Sequence, residues 1–233
     1  FGLGLVPTGS SDPFGLRRAG QGALRAILDF WKVDVAERQP SLRALAAAAV
    51  SGYGSSLKRP AADVRKDLEA FLLDRLRYLL SARGFPGDEI EAALGAREPE
   101  ALDDPTECVA RLTALHRVRS EAREDFEGLA AAFKRARNIL AHTDPAAVEP
   151  VLFSEAAERE LHQAVLALAA PNGRHDAQLR SLARLRAPVD KFFDDVLVMA
   201  EDPKVRANRL ALLHQTLSLF FRIEDISKLG GQA

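Results

Sequence analysis

Residues suited to binding a phosphate group or a nucleic-acid base are concentrated near the middle of the chain. The segment from Phe133 to Ile139 contains the candidate RNA-binding residues Lys134, Arg135, Arg137 and Asn138. In a helix Lys134 and Arg137 share one side, while Phe133 and Ile139 can turn toward a core. Cations contact a phosphate backbone, and an amide offers donors and an acceptor to a base edge. The alternatives are ordinary solvated charges and, for Asn138, a helix-capping role.

A second basic group lies toward the C-terminal end of the chain. From it we predict three further RNA-binding residues, Arg184, Arg206 and Arg209. Arginine suits bidentate recognition of phosphates and bases. Arg206 and Arg209 are three residues apart and either stabilise their helix by pairing with Asp194 or Asp202, or reach a base. We expect one arginine in each role, and the sequence does not distinguish which.

Other residue types do not assemble into a reactive site. Gly4–Ser11 resembles a phosphate-binding loop, but Ser10 stands where lysine is needed and Pro7 lacks an amide donor. His175–Asp176 has no second pair at helical ligand spacing. The adjacent carboxylates Asp194–Asp195 diverge by about 100° in a helix, so they cannot share an acid/base site. We therefore predict no catalytic, cofactor-binding or metal-binding residue in this chain.

Composition limits the class of protein. The chain has 233 residues, 47% hydrophobic and 28% charged, with a formal net charge of -1, so a globular protein whose basic surface is only local is expected. The single cysteine, Cys108, is predicted to be a buried small hydrophobe in a reducing cytosol. No apolar run is long enough to cross a membrane, which predicts a cytoplasmic location. Because the chain opens on Phe1 rather than methionine, we expect it to be part of something longer.

The spacing of apolar residues predicts only helices. Ala, Leu, Arg and Glu recur every three or four residues, which is typical of an all-α helical bundle. The predicted helices cover about 12–32, 41–52, 60–84, 88–94, 105–117, 121–142, 154–170, 175–185, a segment to 199 broken at Pro188, and 203–221. The segment SGYGSSLKRP, residues 51–60, is predicted to be a linker. We therefore place a domain boundary after residue 60.

Three ordered segments resemble one known family. They are PTGSSDPFGLRRAGQGALRAI at residues 7–27, LAAAFKRARNIL at 129–140, and VDKFFDDVLVMAEDPKVRANRLALL at 189–213 with FFRIEDISKL at 220–229. The first is similar to a turn-and-helix signature of the beta subunit of bacterial two-subunit glycyl-tRNA synthetase. The second is similar to a helix of that family with a KR-x-x-NI pattern, and the third to its C-terminal domain. Departures such as Phe14, where tyrosine is common, remove no charged group.

The resemblance implies a fold and a function. Residues 1–60 would be the end of a domain of histidine–aspartate fold plus a connector, and residues 61–233 an anticodon-binding domain of the arginyl-tRNA-synthetase-like type. The beta subunit would bind glycine tRNA within an assembly of two alpha and two beta subunits that serves protein biosynthesis. ATP and magnesium would lie on the catalytic alpha subunit, with no cofactor on this chain. Neither DNA nor a membrane is an expected partner.

One alternative function is a helical scaffold that docks another protein without touching RNA. The balanced net charge suits that interpretation. Salt dependence separates the two, because an interface that neutralises phosphates weakens steeply with added salt. The glycine codons also require cytosines at the second and third anticodon positions, so an anticodon reader must recognise them.

Overall fold

The structure is a computed structural model that describes most of the chain in ten α-helices. The described residues are 1–7, 12, 14–30, 41–95, 98–141, 143–144, 146–168, 175–221, 225 and 228–229. Within these ranges there is no β-strand, so the predicted all-α class is confirmed.

The helices follow one another with short connections. They are α1 Leu16–Arg25, α2 Leu42–Tyr53, α3 Ala61–Ala82, α4 Gly87–Gly95, α5 Pro105–Glu121, α6 Arg123–Leu140, α7 Ala156–Leu168, α8 His175–Ala183, α9 Arg186–Asp195 and α10 Pro203–Phe221. A π-helical turn, Ala26–Phe30, extends α1, and 3-10 turns occupy Gly54–Ser56, Glu100–Leu102 and Pro150–Leu152.

The chain divides into two compact units. Unit 1 comprises residues 1–90 and 97–111, and unit 2 comprises residues 91–96 and 112–233. The predicted boundary after residue 60 separates two domains of the family that the sequence resembles, which is a different division from that into compact units. It stays a prediction.

Unit 1 is organised around α3, against which α1 and α2 pack. The side of α3 that faces the core is apolar, and its buried residues are Val64, Leu72, Leu73, Leu76, Leu79 and Leu80. Ser41 caps α2, because its Oγ accepts a hydrogen bond of 3.0 Å from the Ala44 amide. Gly20 lets α1 approach α3 closely, since a β-carbon there would lie 2.9 Å from the Phe71 ring.

Unit 2 is a bundle in which α9 and α10 pack against both α6 and α7. Phe126, Phe192 and Phe220 are among its largest fully buried side chains. The Phe133 and Phe220 rings, whose centroids are 4.0 Å apart, join α6 to α10. Aromatic side chains bury large apolar areas, so these rings fix the face that α6 turns outward.

Gly128 on α6 leaves room for a side chain from α9. A β-carbon at Gly128 would lie 2.7 Å from Nε of Arg186, whose Nη1 donates a 2.5 Å hydrogen bond to the Glu124 carbonyl oxygen. The same side chain pairs with Asp190 at 3.3 Å. These contacts tie the start of α9 to the first turns of α6.

Some predicted helix limits were wrong. The helix predicted to start at Ser154 begins at Ala156, and the break predicted at Pro188 falls one turn earlier, since Pro188 lies in the first turn of α9. The helix predicted to reach Met199 ends at Asp195, where the backbone becomes extended. The first helix begins at Leu16 rather than at Asp12, and its predicted end near residue 32 lies outside the described residues.

The segment that follows α9 alternates between core and surface. Val196 and Val198 are buried, whereas Leu197 and Met199 are 70% and 59% exposed. The spacing in the sequence predicts that Val196, Leu197 and Met199 share one apolar helix face with Val189, Phe192 and Phe193. Because the chain leaves the helix at Val196, where its backbone is extended, Val196 reaches the core but Leu197 and Met199 do not.

Candidate nucleic-acid interface

Helix α6 carries four of the predicted RNA-binding residues on its outward side. Lys134, Arg135, Arg137 and Asn138 are all exposed, while Phe133 and Ala136 between them are buried. The 3.6-residue repeat places the cations and the amide opposite the core face. The helix has Ala141 as its C-cap residue, so no capping role is observed for Asn138.

Three of these four residues line one shallow depression. Its walls are Ala131, Lys134, Arg135, Asn138 and Ile139. Positions three and four residues apart on a helix are neighbours, which brings the two cations and the amide together. Among the described residues, Lys134 and Asn138 have no hydrogen-bond or ion-pair partner, so their polar atoms are available to a ligand.

Arg137 is directed away from that depression. Its Nη1 lies 3.5 Å from Oδ2 of Asp225, and its guanidinium carbon lies 5.7 Å from the centroid of the Phe221 ring. Asp225 is buried, so a positive charge beside it offsets the cost of burying the carboxylate. The structure thus gives Arg137 a contact with the C-terminal residues, and its predicted RNA contact stays a prediction.

The second basic group also contains Arg180, Arg186 and Lys191, and these three side chains are paired with acidic residues. Arg180 pairs with Glu121, Arg186 lies 3.4 Å from Asp125, and Lys191 lies 2.7 Å from Glu160. Arg184, in the turn between α8 and α9, is exposed and makes no ion pair with another described residue. Of this group, Arg184 is therefore the cation most accessible to an RNA phosphate.

Arg209 fills the structural role that was predicted for one of two arginines. It is 6% exposed, and its Nε donates a 2.9 Å hydrogen bond to Oε1 of the fully buried Glu158. Its Nη1 donates to the Leu197 carbonyl at 2.8 Å, and its Nη2 donates to Ser154 Oγ at 2.9 Å. Since protein groups occupy each of its nitrogens, we leave Arg209 out of the interface proposed below.

Arg206 lies half-buried one turn earlier on α10. Its Nη1 donates a 3.2 Å hydrogen bond to the Ala200 carbonyl, and neither predicted partner, Asp194 or Asp202, has an ion pair with it among the described residues. Its RNA contact stays a prediction. The neighbouring Asn208 is buried and makes paired hydrogen bonds with the backbone of Glu149, at 2.7 and 3.0 Å.

Glu158 anchors this network through a charged carboxylate. Its Oε2 accepts hydrogen bonds from the amides of Ser154, at 2.9 Å, and Glu155, at 2.8 Å. Burial raises the pKa of the Glu158 carboxyl, but the hydrogen bond and charge of Arg209 and the two amides outweigh it. The pKa therefore lies below its ordinary value of 4.5.

Acid is expected to remove the stability that this carboxylate contributes. Because the folded-state pKa is lowered, the contribution is fully present above the ordinary pKa and is lost as pH falls through the folded value. We expect the difference in free energy of unfolding between wild type and Glu158→Gln to shrink as pH falls below about 4.5. Urea titrations at a series of pH values measure it. If the difference in free energy of unfolding between the two proteins stays constant into acid, the lowered pKa of Glu158 is contradicted.

Two participants in these contacts were not predicted from the sequence. Glu158 shares the apolar spacing of Leu161 and Val165 on α7, and a carboxylate at a core position is the signal that could have identified it as the partner of Arg209. Phe193, which is half-buried and packs against the core, lies under Arg135, with the guanidinium carbon 4.6 Å from its ring centroid. Nothing in the local sequence pairs these two residues.

Other predicted features can be compared with the structure directly. Cys108 is buried, as predicted. His162 and His214 are hydrogen-bonded to Gln215 and Thr143, so these histidines serve packing contacts. Within the described part of the chain, no group of three His, Cys, Asp or Glu could hold a metal ion, and no helix is long and apolar enough to cross a membrane.

The fold defines an all-α protein built as a helical bundle, with an exposed basic helix in unit 2. Comparison with known proteins assigns it more closely. Residues 1–95 match the family profile described as glycyl-tRNA synthetase beta subunit.

Curated relatives extend the similarity over almost the whole chain. The glycine–tRNA ligase beta subunit of Ralstonia nicotianae is 44% identical over 244 residues, covering 99% of this chain and 32% of the relative. Those of Pasteurella multocida and Citrifermentans bemidjiense are 41% and 40% identical, covering 98% and 99% of this chain and 32% of each relative. The chain therefore belongs to the glycyl-tRNA synthetase beta-subunit family, and it spans about one third of the length of these relatives.

Proposed function

We propose that this chain is the tRNA-binding part of a glycine–tRNA ligase beta subunit and recognises the anticodon of glycine tRNA. It acts in the cytoplasm as an anticodon-binding domain of the arginyl-tRNA-synthetase-like type. The alpha subunit, in an assembly of two alpha and two beta subunits, binds ATP and magnesium and catalyses the glycylation. This chain contributes tRNA binding rather than chemistry.

One observation carries the proposal. In a chain of this family, α6 exposes Lys134, Arg135 and Asn138 around one depression, and two of the three have no partner among the described residues. An exposed cation can neutralise a phosphate, and an exposed amide can form hydrogen bonds with a base edge. The pairing of Arg180, Arg186 and Lys191 with carboxylates leaves this as the best-supported RNA surface of unit 2.

Direct binding to tRNA tests the function. The full chain is titrated with a glycine tRNA transcript and with a transcript whose two anticodon cytosines are changed, at two salt concentrations. Single-stranded RNA gives a slope of about −0.7 per phosphate contact in a plot of log affinity against log salt. With two or three contacts, affinity should fall roughly tenfold for a fourfold rise in salt.

The outcomes separate the proposed function from its alternative. Salt-sensitive binding that weakens for the altered anticodon supports an anticodon reader. Equal binding to both transcripts would remove the anticodon from the proposal, and no binding to either would favour a scaffold that docks a protein. A helix-packed protein interface would show little response to salt.

A further inference from the structure

The Arg135 side chain lies over an aromatic ring instead of extending into solvent. Its guanidinium carbon is 4.6 Å from the centroid of the Phe193 ring. Arginine favours this arrangement because its planar cation is attracted by the negative face of the ring. The contact joins α6 to α9 at the surface, since Arg135 is exposed and Phe193 is half-buried.

The aromatic ring is itself held by the core. Phe193 meets Phe192 edge to face, with centroids 5.8 Å apart and planes at 76°, and Phe192 is fully buried. The contacts of Arg186 with Glu124 and Gly128 fix the other end of α9 against α6. The guanidinium therefore has a supported position, which lowers the conformational entropy lost when a ligand binds to it.

The other polar residues of the depression complete a set of contacts for one nucleotide. Asn138 follows Arg135 by three residues and Lys134 by four, so all three side chains lie on adjacent positions of α6. A guanidinium plane offers a stacking surface, an amide offers one donor and one acceptor side by side, and an ammonium attracts a phosphate. A splayed nucleotide presents three matching groups: a base face for the guanidinium, a base edge for the amide and a phosphate for the ammonium.

We propose that Arg135, supported by Phe193, is the stacking platform for one unpaired base of the bound RNA, with Asn138 contacting the Watson–Crick edge of that base and Lys134 the adjoining phosphate. This assignment rests on the proposed function and names how the same surface holds the anticodon. Cytosine suits the edge contact, because its N4 amino group donates and its N3 accepts, matching the oxygen and nitrogen of an asparagine amide.

A base explains the arrangement better than phosphate attraction alone. A cation that only neutralises phosphate needs neither a fixed plane nor an aromatic support, and the uncharged Asn138 adds nothing to a positive field. Arg135→Lys therefore separates the two roles, since lysine keeps the charge and loses the plane. Phe193→Leu removes the ring while retaining an apolar side chain.

The test combines these variants with abasic transcripts. Affinities of the full chain for glycine tRNA are measured in wild type, Arg135→Lys and Phe193→Leu, and in Arg123→Lys as a control that makes the same change elsewhere on α6. Each protein is also titrated with transcripts that lack the base at one or the other anticodon cytosine but keep the phosphate. Circular dichroism checks that helicity is retained.

Loss of one stacked base typically weakens binding about tenfold or more. We expect Arg135→Lys and one of the two abasic transcripts each to cause such a loss, and Arg123→Lys to cause none. That abasic change should cost less in Arg135→Lys than in wild type, because only the contact of the base with Asn138 is then left to lose. Wild-type affinity of Arg135→Lys for tRNA would contradict the stacking role of Arg135. So would losses of affinity that multiply when Arg135→Lys is combined with either abasic transcript. Salt-sensitive tRNA binding would then still support the proposed function, whereas no tRNA binding by wild type would overturn both.

Discussion

Replacing Arg209 by methionine is expected to lower the free energy of unfolding by about 3–5 kcal/mol, the usual result of removing one partner of a buried ion pair. Methionine has a similar length but no donor, so Glu158 would stay fully buried without its cation. The carbonyl of Leu197 and the hydroxyl of Ser154 would also lose their hydrogen bonds. Urea denaturation followed by circular dichroism measures the change.

Arg206→Met is the matched control for that substitution. Arg206 lies on the same helix and is only half-buried, and among the described residues its side chain makes a single hydrogen bond, to the Ala200 carbonyl. We expect it to cost no more than about 1 kcal/mol, the net worth of one ordinary hydrogen bond. Equal losses in the two variants would show that the buried pair does not stabilise unit 2. A double variant, Arg209→Met with Glu158→Met, should be more stable than Arg209→Met alone, because it leaves no uncompensated charge.

Reversing the charges beside the depression is expected to have the largest effect on RNA binding. With Lys134→Glu and Arg135→Glu together, two carboxylates would face the RNA phosphates where two cations stand now. Like charges placed together in an interface cost several kcal/mol, so affinity for glycine tRNA should fall about a hundredfold at low salt. Filter binding or fluorescence anisotropy measures this loss.

Two basic residues that are consecutive on α3 supply the control. Arg65 and Lys66 are exposed, and Arg65→Glu with Lys66→Glu lowers the net charge by the same amount in unit 1. If α6 is the interface, this variant should bind tRNA almost as wild type does at physiological salt, because Arg65 and Lys66 do not line the depression on α6. An equal loss in both double variants would indicate a general effect of net charge and would remove α6 from the interface.

Helices with a complete local pattern were predicted well. The caps and apolar repeats of α2, α3 and α10 are local signals, and each helix lies within a few residues of its predicted range. The end of α9 was different, because the run from Val196 to Met199 is apolar throughout and suits either a helix or an extended segment. Arg209 and Arg206 hold this segment outside the helix by donating hydrogen bonds to the Leu197 and Ala200 carbonyls. Such tertiary contacts have no signature in the local sequence.

The candidate site could be predicted only in part for the same reason. Helical spacing was enough to place Lys134, Arg135 and Asn138 on the outward side of α6. It could not show that Arg137 turns toward Asp225, because that partner lies beyond the last helix. It also could not separate Arg206 from Arg209, since the distinction depends on a carboxylate from α7.

The hydrogen bond between Glu158 and Arg209 also limits how this protein can be cut into smaller pieces. It joins residues 51 apart in the chain, and the contact of Glu149 with Asn208 joins residues 59 apart. A fragment that stops before α10 would keep the buried Glu158 carboxylate and lose Arg209, the cation that pairs with it. Any shortened version meant for crystallisation or tRNA titration should therefore retain α6 through α10 as one piece, even though the basic residues of interest occupy only two turns of α6.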